Sequence, residues 1–333
     1  MRKSRLKFVG LKVNRIIVPV SFFGMILGLV GLGNGWRVAS KIWHLPVWIG
    51  EAIMLLAVAV WLLLLLLYFG KWLWAREEAL AEFEHPVLCC FIGLVPVSSL
   101  LVALAIAPYS HVAAVELFTI SAIGQLGFGV YRSGQFWMGG RKPEATTPIL
   151  YLTGVAGSFV STIVASSLGY REWGALLFGM GLFSWLALES VIMQRLYLLE
   201  ALPKPLRPTL GIQLAPPVVG CVAYLSITTG QPDIFAQMLF GYGLLQALIL
   251  LRLLPWLCQQ PFNASYWAFT LGVAALALAP LRFVERGMTG VMEGLAVLLF
   301  IGANIAIGSI ALGTVRLLLR GKLLPPAIPA KVT

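Results

Sequence analysis

Charge is what this sequence has least of. Only 11% of its 333 residues are Asp, Glu, Lys or Arg, against about 25% in a soluble domain. Histidine is scarce too: His44, His85 and His111 stand far apart, and no two have the spacing of a metal-ligand pair. Cys89, Cys90, Cys221 and Cys258 all lie in apolar runs, where cysteine acts as a small apolar residue and not as a bridge. No GxxxxGK phosphate loop occurs, so nothing points to nucleotide-driven work. No nucleophile–base constellation is legible. These absences argue against an enzyme and call for no cofactor and no metal. The net charge of +11 has no exposed basic domain to carry it, which excludes a nucleic-acid partner.

What the chain has instead is apolar length. Hydrophobic residues make up 59% of it, and a membrane-crossing helix needs about 20 in succession. Ten such spans are expected, at 16–33, 47–70, 86–107, 111–131, 148–168, 172–197, 207–228, 233–254, 262–280 and 290–319. The chain then reads as one transmembrane domain over 1–333, with a basic N-terminal segment at 1–15 and a tail at 320–333. No small-residue cleavage site follows the first span, so no removable signal peptide is expected. Turn-sized links such as PYSH (108–111), GYRE (169–172) and GQPD (230–233) force antiparallel hairpins. Lys and Arg are retained in the cytoplasm during insertion. With both termini inside, 19 of the 24 basic residues fall on the inner side, which fits an even number of spans.

The spans alternate in character. The second contains LLAVAVWLLLLLLYFG, bulky and featureless, as lipid contact requires. The odd-numbered spans are rich in Gly, Ser, Thr and Ala, and Pro19, Pro96, Pro216 and Pro217 lie in them. Proline inside a helix removes a hydrogen bond and kinks it, so Pro19, Pro96 and Pro216 are expected to kink the odd spans. Five hairpins cannot divide into two equal inverted halves, but they can close a ring. The expected architecture is therefore all-α, with five tandem hairpins, the odd helices around a central pore and the even helices outside. Small residues also serve plain helix packing; it is the alternation through all five pairs that points to a pore.

Four carboxylates stand within the spans, Glu51, Glu116, Glu189 and Glu293, all on even-numbered ones. A charge within the membrane needs a partner or water. Glu189 and Arg252, on neighbouring outer helices, are expected to form a structural ion pair; a proton-coupling role for Glu189 is the alternative. The five proposed pore helices carry no central charge, which favours conduction over a high-affinity carrier cycle.

The stretches FGMILGLVGLGNGWR, PEATTPILYL, FGMGLFSWLALESVIMQRL, LGIQLAPPVV, LFGYGLLQALILLRLLPW and QPFNASYWAFTLG together resemble the tellurite-resistance/dicarboxylate transporter family. Plant guard-cell slow anion channels are distant members. The resemblance implies a ten-helix, quasi-five-fold pore in each subunit, a homotrimer of independently conducting subunits in the bacterial inner membrane, and permeation of small anions such as nitrate and chloride. It also implies a phenylalanine gate in the ninth helix, matched here by Phe269 in YWAFTLG. Alternatives within the family are a proton-coupled C4-dicarboxylate carrier of the malate type and a tellurite exporter. A functional link to a separate soluble tellurite methyltransferase is a further implication. One departure is Thr153 in YLTGV, where close relatives usually carry proline; Gly157 and Ser158 also stand where relatives often have Asn.

Overall fold

The computed structural model describes residues 17–324. The basic segment 1–15 and the end of the tail, 325–333, lie outside the described residues. Among the described residues ten helices are long and apolar enough to cross a membrane: α1 (Val20–Trp43), α2 (Val47–Trp74), α3 (Leu88–Ile106), α4 (His111–Trp137), α5 (Pro148–Ser167), α6 (Arg171–Leu198), α7 (Lys204–Ile227), α8 (Ile234–Leu257), α9 (Ala264–Glu285) and α10 (Val291–Leu319). No strand occurs among the described residues.

Burial sorts these helices into two classes. In the most apolar stretch of each odd-numbered helix, 67–83% of the residues are buried; in the even-numbered helices the share is 22–33%. Each odd helix packs on the next, α1 on α3, α3 on α5, α5 on α7, α7 on α9 and α9 back on α1, so the inner ring is closed. Each even helix packs outside its own hairpin partner. Large apolar side chains such as Leu55, Ile120, Phe183, Leu248 and Leu312 point outward from the even helices, which suits a hydrocarbon surround.

All five inner helices begin in the tighter 3₁₀ form, at Val20–Phe23, Leu88–Gly93, Pro148–Leu152, Lys204–Leu214 and Ala264–Phe269. They pass into α geometry at or near Gly24, Leu94, Val155, Ala215 and Thr270. The repeat of the sequence is thus a repeat of this handover. The prolines relate to it differently from the kinks expected of them. Pro19 precedes the first 3₁₀ turn in extended backbone and is not inside a helix. Pro96 and Pro216 occupy the first α-turn after the handover, where the missing N–H costs least. In α5 the break needs no proline. Gly154 has φ −141°, between Pro148–Leu152 and the α segment Val155–Ser167. The Thr153 hydroxyl donates to Leu150 O, and Gln125 Nε2 of α4 donates to the carbonyls of Leu152 and Thr153 at 3.4 Å each. Carbonyls freed at membrane depth are satisfied by a neighbouring side chain, as hydrocarbon requires.

Two boundaries differ from expectation. Helix α1 runs on through Asn34, Gly35, Trp36 and Arg37 to Trp43. Trp36 Nε1 donates to Asn304 of α10 at 2.8 Å, which holds this polar extension inside the protein. The connection after α2 forms a helix, Arg76–Glu84, with Glu77 and Glu78 in its first turn, where carboxylates offset the positive helix end. Its Glu82 is bound to Lys71 Nζ at 2.7 Å and accepts from Val20 N at 3.1 Å, tying this helix to the start of the inner ring.

Candidate functional site: the lumen of the inner ring

Among the described residues, two chambers lie along the axis of the five inner helices. The larger, about 280 Å³, lies at the end where those helices begin, and each of the five contributes to its wall. The smaller, about 30 Å³, lies among their C-terminal halves. Val219 of α7 and Leu271 of α9 face both chambers, which makes them the neck between the two. Leu27 and Phe159 lie on one side of this neck, Val30 and Val160 on the other. No Asp, Glu, Lys, Arg or His faces either chamber among the described residues. The hydroxyls in the larger chamber are mostly committed: Thr209 donates to Leu206 O, Ser265 to Asn263 Oδ1 and Tyr151 to Glu189.

The lumen face of α9 follows a helical stripe, Ala264, Ala268, Leu271, Ala275 and Leu278, spaced by three and four residues, with Ser265 and Trp267 beside it at the larger chamber. Phe269 lies off that stripe and faces neither chamber. Its ring is seated over Gly211 of α7, where an added Cβ would lie 2.5 Å from Phe269 Cγ. It also ends an aromatic ladder: Phe262 and Tyr266 have centroids 5.5 Å apart, Tyr266 and Phe269 6.3 Å apart, both pairs nearly parallel. Gly272, on the same face, abuts Leu214 and Ala215 of α7. At Phe269 and Gly272 this face is thus a contact between two inner helices, whereas at Ser265 it reaches the larger chamber. The ring expected to stand in the conduit packs in that contact, and the residue at the neck is Leu271, two positions further on.

Among the four described span carboxylates, Glu189 is half-buried and held between helices. Glu51 is paired with Arg37 at 2.7 Å near the start of α2, Glu116 is exposed near the start of α4, and Glu293 accepts from Gly290 N at the start of α10. Glu189 accepts hydrogen bonds from Tyr151 of α5, from Trp185 of its own helix at 2.8 Å, from Gln213 of α7 at 2.9 Å and from Tyr242 of α8 at 2.7 Å. Arg252, the partner expected from sequence, is not among these groups and lies exposed on α8. Neutral donors on four helices satisfy the charge instead. Tyr151 also forms part of the larger chamber's wall, so Glu189 stands directly behind it.

Two arginines govern the opposite end of the ring. Arg37 of α1 donates to Ala105 O, at 3.0 Å, and to Leu104 O, at 3.5 Å, at the C-terminus of α3. Arg286, just past α9, donates to the carbonyls of Leu225 and Thr228 at the C-terminus of α7. Each thus caps the last carbonyls of another inner helix. Partial burial lowers the Arg286 pKa from its ordinary value. Among the described residues no cluster of three or more His, Cys, Asp or Glu could hold a metal ion.

Comparison with known proteins agrees with this geometry. Residues 18–315 match the SLAC1 family of voltage-dependent anion channels. The tellurite resistance protein TehA homolog of Haemophilus influenzae is 35% identical over 92% of both chains. The S-type anion channel SLAH3 of Arabidopsis thaliana is 27% identical over 82% of this chain, and the guard cell S-type anion channel SLAC1 of the same plant 26% over 80%. The matches cover 45% and 50% of those longer plant proteins. With a family match across nearly the whole ring and a close bacterial relative, the chain belongs to the SLAC1 family and is a multi-pass anion channel or transporter, not an enzyme.

Proposed function

We propose that this protein is a passive, anion-selective channel closed at rest by the Leu271–Val219 neck. The observation that carries the reading is the lumen itself: five inner helices, two chambers, and an aliphatic constriction with no charged side chain facing it. Such a neck blocks ions by occupying volume and by excluding the water an ion needs. A weakly hydrated anion loses least on entering, so nitrate is favoured over chloride. The sign of the charge has a separate source. All five inner helices begin at the same end, and each helix start carries about half a positive charge. Together they favour anions in the larger chamber without a fixed cation that would trap them.

The proposal includes the bacterial inner membrane, with both termini cytoplasmic, on the strength of the Lys and Arg distribution. It also includes the homotrimer that the family resemblance implies. Transport of tellurite, and a link to a soluble methyltransferase, rest on that resemblance and on the name of the bacterial relative. One observation favours a second reading, a proton-coupled dicarboxylate carrier: Glu189 reaches the lumen wall through Tyr151.

Anion flux into liposomes carrying purified Leu271→Ala protein tests the channel reading. A rise of at least tenfold over wild type, with nitrate ahead of chloride and no uphill accumulation under a pH gradient, supports it. A correctly assembled variant with wild-type flux, or preference for cations, overturns it.

A further inference from the structure

We propose that Asn34 is an anion contact in the smaller chamber, and that it sets which small monovalent anion passes once the neck is open. The inference rests on the channel reading. The lumen stripe of α1 runs Gly24, Leu27, Gly31 and Asn34, so Asn34 continues it beyond the neck. Every other residue facing the smaller chamber is Gly, Ala, Val, Leu or Ile. Asn34 is only half-buried, and its amide has no hydrogen-bond partner among the described residues. Neighbouring polar groups of α1 are engaged: Trp36 with Asn304, Arg37 with Glu51 and the carbonyls of α3. An unengaged amide in an apolar chamber of about 30 Å³, room for about two waters, offers its N–H groups to whatever occupies that space.

An ion leaving the neck is partly dehydrated. One hydrogen bond from an amide to a charged group is large enough to change its rate of passage. The bond is strongest to the smaller, harder anion. Asn34 therefore opposes the dehydration order: it recovers some of what chloride loses and recovers less for nitrate. Removing it should steepen the preference for nitrate.

The test uses the full chain in the Leu271→Ala background. Asn34→Leu is expected to cut chloride flux about tenfold, the loss of one such bond, and to raise the nitrate-to-chloride ratio. Asn34→Ser, which keeps a donor, should retain most of the chloride flux. Asn34→Asp should suppress both anions. An unchanged ratio in assembled Asn34→Leu protein overturns the proposal while leaving the channel reading intact. Absence of anion flux in the Leu271→Ala parent overturns both. Bromide soaked into crystals of the otherwise wild-type protein gives a readout without flux: anomalous density beside Asn34, lost in Asn34→Leu, is expected, and its absence in wild type counts against the site.

Discussion

Replacing Glu189 separates a structural carboxylate from a proton carrier. Its Oε1 accepts from Gln213 and Tyr242, and its Oε2 from Gln213, Tyr151 and Trp185. In Glu189→Leu the acceptors vanish. Trp185, whose indole can only donate, and the two tyrosines are left facing an apolar side chain. Each orphaned donor costs about 1–3 kcal/mol, so the variant should lose at least about 3 kcal/mol, even after relief of burying a charge. Glu189→Gln keeps one oxygen for Trp185 and Tyr151. Its new NH₂ meets Gln213, whose buried Oε1 has no partner in the wild-type arrangement; a flip of Gln213 brings that oxygen to the new donor but turns its own NH₂ away, so one polar group stays unpaired. The loss should then be about 1 kcal/mol. Thermal unfolding and size exclusion in detergent give the stability order, wild type above Gln above Leu, and flux measured across pH gives the function. Glu189→Gln is expected to keep the wild-type pH dependence. A variant that melts and assembles like wild type yet loses a proton-driven component of flux would refute it and establish the carrier.

Phe269→Ala should leave the resting conductance near wild type and lower stability by about 2 kcal/mol, because the half-buried ring fills the notch over Gly211; a large rise in flux from an assembled variant would restore the phenylalanine gate. Lys71→Met should destabilise by about 3 kcal/mol, since it strands the Glu82 carboxylate in a site where both partners are nearly buried, and Lys71→Met/Glu82→Gln should recover part of that in a melting series. Asp233 caps α8 through Ala236 N and accepts from Tyr224; the tyrosine bond is the main reason its pKa lies below the ordinary 3.8. A lowered carboxylate stabilises above the unfolded value and loses that contribution as pH falls through the folded one. Asp233→Ala should therefore cost about 1 kcal/mol at neutral pH, a difference that shrinks below about pH 4 in paired melts.

The ring was legible in the sequence because its signal is collective. Bulky and small-residue spans alternate five times, and burial within the protein follows that alternation. What escaped was anything depending on which side of one helix a residue faces. Phe269 and Gly272 share a face, and composition alone does not say whether a small-residue face meets a lumen or another helix. Only the notch at Gly211 decides it. Asn34 escaped for the opposite reason: a polar run, NGWR, reads as the end of a span, although here it continues the wall of the conduit. The partners of Glu189 were hidden because charge suggests a counter-charge, whereas four neutral donors from separate helices converge on it.

The caps formed by Arg37 and Arg286 bear on the shape of the current–voltage relation. Five parallel helices alone would hold a standing field along the conduction path, with a well for anions at the end where they begin and a barrier where they stop. A pore with such a profile rectifies, passing anions more readily from the well side than toward it. Two of the five negative ends are met by guanidinium groups, but Arg37 is paired with Glu51, so Arg286 is the cap that lowers the barrier most. The open channel is therefore expected to rectify in symmetric salt, and Arg286→Gln should make it rectify more strongly.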